Sequence, residues 1–328
     1  MPKPLNLFYE EPDPDRWLPY DRYPRKFIRR IVRGKGRAGG VMMVALNLMQ
    51  GLDKLHIPYR FNNYSHIKKH PDETACIIGK PHVLFERDWK NPIVFGAGIF
   101  SHPSDAPDLL KQYPNIKQIL VPGQWMQEMF RPYYGDIVTA WPTGIDSGYW
   151  SPAAPNTEKP YDFLIYDKIR WEREKYVPEL LDPIIQQLDS ESRTYTVLRY
   201  GAYAPIDLKN VLNQVKAVIF LCEHETQGLA YQQILSANIP ILAWDRGGYW
   251  QDPAYYPAIK FGPVSSVPYW SNDCGMKFTD INNFGTQLKA FMGRYHTNMF
   301  SPRSYILQHL TLEKCAAAYA DIIAATEK

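Results

Sequence analysis

KAVIFLCEHETQGLAYQQILSANIPILAWDRGG, residues 216–248, is the stretch whose reading decides the fold. After Lys216 the next six residues, Ala217–Cys222, are apolar throughout, as in a strand buried on both faces. LAYQQILSANI then reads as a helix and IPILAW as the next buried strand. Strand, helix and strand in this order build a parallel, doubly wound sheet. Ligands of such sheets bind just outside the carboxyl ends of the strands. Glu225 sits at one such end; Arg246, Gly247 and Gly248 follow the next strand. A carboxylate there suits hydroxyl groups, because it only accepts hydrogen bonds and hydroxyls donate them. The start of the helix offers free N–H groups to an anion. The alternative is that Glu225 merely caps the helix.

The same alternation extends in both directions. PLNLFYE (4–10) reads as a strand. VMMVALNLMQGLDKL, after Gly39-Gly40, places Val41, Val44, Ala45, Leu48 and Leu52 on one helical face. IPYRFNN, ETACIIG, PIVFG, IKQILVP and DIVTAWP read as further strands. SPAAPNTEKP (151–160), rich in proline and polar residues, reads as a linker. The pattern then restarts with DFLIY, a helix near 172–188, TYTVLRYG, and the stretch quoted above. TLEKCAAAYADIIAATEK closes the chain as a helix with a threonine cap. The expected organisation is an N-terminal Rossmann-like domain over 1–152, a second over 153–310, and a terminal helix over 311–328 packing back toward the first.

Composition sets outer limits. The 328 residues are 45% hydrophobic and 22% charged, with a net charge of +3, a globular balance too weakly basic to imply nucleic acid. The 23 tyrosines and 9 tryptophans suit sugar-binding surfaces and apolar cores alike. The four cysteines, Cys76, Cys222, Cys274 and Cys315, are scattered without metal or disulfide spacing, which fits a reducing compartment. No apolar run approaches the ~20 residues of a membrane span, and the opening Met1-Pro-Lys-Pro, followed by only a short apolar strand, leads us to expect no signal peptide. A cytoplasmic protein is expected.

The order of motifs resembles the GT-B glycosyltransferases of the retaining Glu-x(7)-Glu type (glycosyltransferase family 4-like, "glycosyl transferases group 1"). In that pattern an acidic residue is followed by glycine three positions on and by a second Glu eight positions on, then by proline, a buried strand and a Gly-Gly loop. Glu225, Gly228, Leu229, Ala237, Pro240 and Gly247-Gly248 match; Gln233 replaces the second Glu. AWPTGIDSGYWSP (140–152) resembles the interdomain signature, and Gly39-Gly40 the first glycine loop. FLIYDKIRWER resembles the strand that ends in Gly-Arg with a following Lys; Lys168 and Arg173 keep its basic character, although Asp167 stands where the glycine would be. GIFSHPSD resembles the loop that carries a first-domain histidine, here His102.

The resemblance implies two Rossmann-like domains facing each other across a cleft, with a nucleotide-diphosphate sugar as co-substrate and neither metal nor other cofactor. Glu225 would bind the sugar's hydroxyls, with Thr226, Gln227, Gly228, Leu229 and Arg246 around the donor. Backbone N–H groups of Gly247 and Gly248 would hold sugar or phosphate. Lys168 and Arg173 would neutralise the departing diphosphate. Gly39 and Gly40 would let the backbone approach the phosphates. His102 would hydrogen-bond the transferring sugar or assist proton movement. Gln233 would hold the ribose roughly 1 kcal/mol more weakly than a Glu, since neutral hydrogen bonds are worth less than charged ones. The acceptor would be a glycan or glycolipid. The alternatives are an inactive GT-B-like protein that binds a nucleotide or glycan, a sugar-nucleotide epimerase, and a phosphorylase.

Two other stretches have simpler readings. Asp13-Pro14-Asp15 has the form of a metal-binding pair but reads as a turn. Residues 25–37, RKFIRRIVRGKGR, form a basic amphipathic pattern, a candidate contact with the inner membrane face or the rim of an acceptor cleft.

Overall fold

The computed structural model describes residues 3–12 and 40–327. Gly39, the Asp13–Asp15 pair and the basic stretch 25–37 lie outside the described residues. The chain divides into two compact units. The first comprises Met1–Pro122, Gln127–Gly144 and Cys315–Lys328, as far as they are described; the second comprises Gly123–Met126 and Ile145–Lys314.

The first unit holds a six-stranded parallel sheet in the order β2-β1-β3-β4-β5-β6. The strands are β1 (Leu5–Phe8), β2 (Tyr59–Phe61), β3 (Ala75–Ile77), β4 (Ile93–Phe95), β5 (Ile116–Val121) and β6 (Val138–Ala140). Helix α1 (Gly40–Lys54) lays Val44, Ala45, Leu48 and Leu52 onto this sheet. Val41, expected on the same face, packs at its margin, partly buried. Ala316, Tyr319 and Ile323 of the terminal helix Leu312–Thr326 enter the same apolar cluster. Trp141 fixes that helix by donating its Nε1–H to the carbonyl of Cys315 at 2.9 Å.

The second unit holds a five-stranded parallel sheet in the order β11-β10-β9-β7-β8. These are β7 (Tyr161–Lys168), β8 (Tyr195–Arg199), β9 (Val215–Cys222), β10 (Ile241–Trp244) and β11 (Gly275–Phe278). β7 and β9 are buried on both faces because their residues alternate between two helical layers. Phe163, Ile165, Ala217, Ile219 and Leu221 meet Ile184, Leu188, Phe284 and Leu288 from the helices Asp182–Ser190 and Ile281–His296. On the opposite face Tyr166 stacks on Phe220, which meets the edge of Tyr231 from the helix Leu229–Ser236. Strand order reverses between β7 and β9, where Lys168 pairs in register with Cys222. That reversal is the topological switch point of a doubly wound sheet.

The quoted stretch folds as read: β9, a helix from Leu229, and β10. Residues 151–160 carry no helix or strand. The sequence reading named no element between β10 and the terminal helix. The structure has β11, the helix Ile281–His296 and the helix Pro302–His309 there. β11 is a short edge strand with Lys277 exposed, so it lacks the apolar run that marks its neighbours. All four cysteines are buried, and none of them forms a disulfide. Among the described residues no helix is long and apolar enough to cross a membrane.

Candidate functional site

The switch point of the second unit concentrates charge. Each carboxylate there has a cation. Asp167 accepts two hydrogen bonds from Arg173, at 2.8 and 2.9 Å. Glu223 Oε1 accepts the backbone N–H groups of Arg170 and Trp171 at 2.7 and 2.9 Å, and the Arg170 Nε lies 3.6 Å from Oε2. Glu225 Oε1 accepts from Lys168 Nζ, and both side chains are almost wholly buried. Lys168 also lies 4.4 Å from the centroid of the Tyr200 ring. Burial alone would lower the Lys168 pKa; the Glu225 carboxylate, foremost among its negative and hydrogen-bonding neighbours, outweighs it and raises the pKa above the ordinary lysine value.

The backbone around this cluster is built for close approach. Gly228 opens the helix Leu229–Ser236 in a left-handed conformation, φ +75°, that favours glycine. A Cβ there would lie 2.0 Å from Tyr231 Cε1. Gly247 and Gly248 also have positive φ, but a Cβ on either would meet nothing within 4 Å, so that side of each residue is open, while the Gly248 carbonyl accepts the Val264 N–H at 3.1 Å. Asp245 holds the loop that follows β10, taking Ser265 Oγ at 2.9 Å, Ser266 N–H at 2.8 Å and Lys277 Nζ at 2.7 Å. The Ser265 carbonyl in turn accepts the Glu225 N–H at 3.0 Å, which fixes the acidic residue's backbone.

The remaining residues expected at the site are placed as follows. Arg246 bonds Tyr176 Oη and Gln251 Oε1, each at 2.5 Å. Gln227 is buried and bonds Gln232. Thr226, Leu229 and Gln233 are half-buried, Gln233 one helical turn inside the helix that Gly228 opens. His102 and Gly40 belong to the first unit. His102 Nδ1 is taken by Ser104, at 2.9 Å from its Oγ and 3.1 Å from its N–H, and burial lowers the pKa of the ring. Gly40 begins α1, and a Cβ there would meet nothing within 4 Å. Thus Lys168, Arg173, Glu225 and the glycines around them come together in one unit. His102 and Gly40 are features of the other.

The sequence reading missed Glu223, Arg170 and His224. The signal for Glu223 was its spacing of two from Glu225, which puts both carboxylates on one side of an extended segment. His224, between them, is buried, and burial together with the charges of Arg170, Arg246 and Lys168 pushes its pKa down to about 3. Glu223 and Glu225 flank it in the chain. A folded-state pKa below the ordinary 6.5 means that the unfolded chain takes up the proton first. The stabilisation is therefore full above about pH 6.5 and is lost as pH falls toward 3, at about 1.4 kcal/mol per unit. Between pH 7.5 and 5.0, urea unfolding should show His224→Phe losing about 2 kcal/mol less than the wild type. Equal losses would mean that the ring already titrates normally.

One cluster elsewhere has metal-ligand chemistry: His66, His70 and Glu73 of the first unit, whose ligand atoms lie within 4.8 Å of one another. Glu73 Oε2 already accepts from Asn6 and faces His66 and Arg60, at 2.9, 2.9 and 3.4 Å. The Arg60 charge opposes a second cation there.

No protein-family model and no curated protein matches the sequence. Solved structures do. Sucrose-phosphate synthase from Thermosynechococcus elongatus is similar with a TM-score of 0.57 at 10% identity, over 99% of this chain and 100% of that one. AviGT4, a glycosyltransferase involved in avilamycin A biosynthesis, is similar at 0.56 and 12%, over 99% and 98%. TarM is similar at 0.52 and 13%, over 85% of this chain but only 58% of its own length. At these identities the likeness establishes the fold, which is GT-B: two parallel α/β units, each doubly wound.

Proposed function

We propose that the protein is a retaining, metal-independent glycosyltransferase that moves a sugar from a nucleotide-diphosphate donor to an acceptor hydroxyl, in glycan, polysaccharide or glycolipid assembly. The observation that carries this reading is the buried Lys168–Glu225 pair at the switch point, beside the glycine-opened helix start and the Gly247-Gly248 turn, open where side chains would project. In this reading the donor exchanges one set of partners for another. Glu225 turns from Lys168 to accept hydrogen bonds from sugar hydroxyls, and Lys168 turns to the diphosphate. Arg173 and Arg246 add positive charge where negative charge develops on the leaving group. The helix start gives its N–H groups to phosphate. Gln233 offers an amide to the ribose. The departing phosphate oxygen takes the acceptor's proton, so no separate protein nucleophile is needed.

A thermal-shift panel of UDP-, GDP-, ADP- and dTDP-sugars tests the donor reading. A ligand at 100 times its Kd stabilises by about 2.7 kcal/mol, a plain rise in melting temperature. One nucleotide sugar should give that rise, and Glu225→Gln, which keeps the shape of the side chain, should lose the sugar-dependent part. No rise with any of the four would overturn the reading.

A second reading is favoured by the pairing itself. Lys168 and Arg173 are both matched by carboxylates of the protein, and Gln233 stands where the family's pattern has Glu. A GT-B-like binder without transfer would stabilise with a nucleotide sugar yet neither hydrolyse nor transfer it.

A further inference from the structure

His224 has a role that the donor-site assignments leave open. It follows β9 and is 4% exposed, and neither Nδ1 nor Nε2 has a hydrogen-bond partner. Its main-chain carbonyl, by contrast, is fully engaged, by Arg170 Nη2 at 3.0 Å and Cys222 Sγ at 3.2 Å. Three indole rings of the same unit wall the imidazole: Trp171 at 4.9 Å between centroids, Trp125 at 5.7 Å and Trp250 at 6.4 Å. Trp125 is itself tied to the acidic residue next in the chain, donating its Nε1–H to the Glu225 carbonyl at 2.9 Å.

Packing does not account for a histidine here. A phenylalanine would fill an aromatic box without leaving two polar atoms buried and unpaired, which folded proteins rarely tolerate away from functional sites. The ring is neutral at physiological pH because burial and the cations around it disfavour its charge. A neutral imidazole presents one N–H donor and one lone pair on its two nitrogens. Phosphate, an acceptor only, would use just one of them. Neighbouring hydroxyl groups, each both donor and acceptor, use both, and the apolar C–H face of a sugar ring suits the indoles.

We propose that His224 is a specificity-determining residue for the sugar of the donor: its imidazole, held by the indoles, donates to one hydroxyl and accepts from a neighbouring one, and Trp171, the half-buried indole of the three, meets the sugar's C–H face. The inference rests on the donor-site reading and names the group that reads the sugar beside Glu225. Sites that hydrogen-bond a hydroxyl reject the analogue that lacks it, because their own buried polar groups are then left unpaired. Deoxy forms of the sugar should therefore bind the wild type more weakly and His224→Phe no differently.

The test is calorimetric. Glucose, galactose and mannose forms of UDP-, GDP-, ADP- and dTDP-sugars, and the matching nucleoside diphosphates, are titrated into the wild type, His224→Phe, His224→Asn and Glu225→Gln. For the nucleotide sugar that binds, His224→Phe should raise Kd about tenfold while the nucleoside diphosphate stays within about twofold. His224→Asn, which keeps a donor and an acceptor, should recover part of the loss. Without ligand, His224→Phe should melt about 2–4 °C higher at pH 7.5, since two unpaired polar atoms are removed. Equal weakening of both ligand types, or none, overturns the role of His224 even where Glu225→Gln weakens the sugar form. If the wild type binds no nucleotide sugar, the donor-site reading fails and this inference with it.

Discussion

Glu225→Ala should destabilise the second unit by about 3–5 kcal/mol at neutral pH, the loss expected when one partner of a buried ion pair is removed. The magnitude follows from burial: the Lys168 and Glu225 side chains are only 10% and 8% exposed. An exposed pair would be worth about 0–1 kcal/mol. Alanine leaves the Lys168 ammonium without its carboxylate, in a buried position that disfavours its charge. The lysine then tends to lose its proton, so the defect should shrink as pH rises. The double variant Lys168→Met/Glu225→Leu should recover most of the loss, because two apolar side chains of similar volume need no pairing. Urea denaturation of the single and double variants checks all three statements. A loss below about 1 kcal/mol in Glu225→Ala would show that the pair is solvated. The result also decides how the donor assay is done: Glu225→Gln keeps an acceptor for Lys168 but not the charge, so its ligand-dependent rise is read against its own unliganded melting temperature.

Gly228→Ala should cost about 2–5 kcal/mol, from a left-handed backbone that alanine resists and from overpacking. The added methyl would meet the Tyr231 ring, and that ring cannot swing away. Tyr231 is wholly buried, packs on Phe220, and its hydroxyl accepts the Tyr269 N–H at 2.8 Å. Gly247→Ala is the control. Its φ is also positive, but the space around it is open, so only the backbone cost of about 1–2 kcal/mol applies. Comparable losses in the two variants would mean that Tyr231 yields.

β7, β9 and β10 were legible in the sequence because strands buried on both faces are written as continuous apolar runs. The helix Leu229–Ser236 was legible from the glycine before it and the apolar run after it. β11 was not, since GMKF at a sheet edge carries neither signal. The helix Ile281–His296 had a readable start in Asp280, whose side chain accepts the Asn282 and Asn283 N–H groups at 2.8 and 3.3 Å. At the site, Glu225, Lys168 and Arg173 could be picked out one by one. That Lys168 pairs with Glu225 depends on the register of β7 against β9, which local sequence does not record; Arg173 meets Asp167, six residues earlier, through the turn that follows β7. His224 was invisible for a similar reason: its significance lies in what fails to touch its nitrogens.

The return of the last helix to the first unit has a consequence for synthesis. The apolar cluster that joins Leu7, Leu48, Val94 and Trp141 needs Ala316, Tyr319 and Ile323. A ribosome adding about 5–20 residues per second must make the whole of Ile145–Lys314 before it reaches them. The first unit to emerge is thus the last to be completed. For roughly 10–30 seconds at that rate its core stays open on one side, a window in which a chaperone or an early stop of translation would act on the N-terminal half while the C-terminal half folds undisturbed.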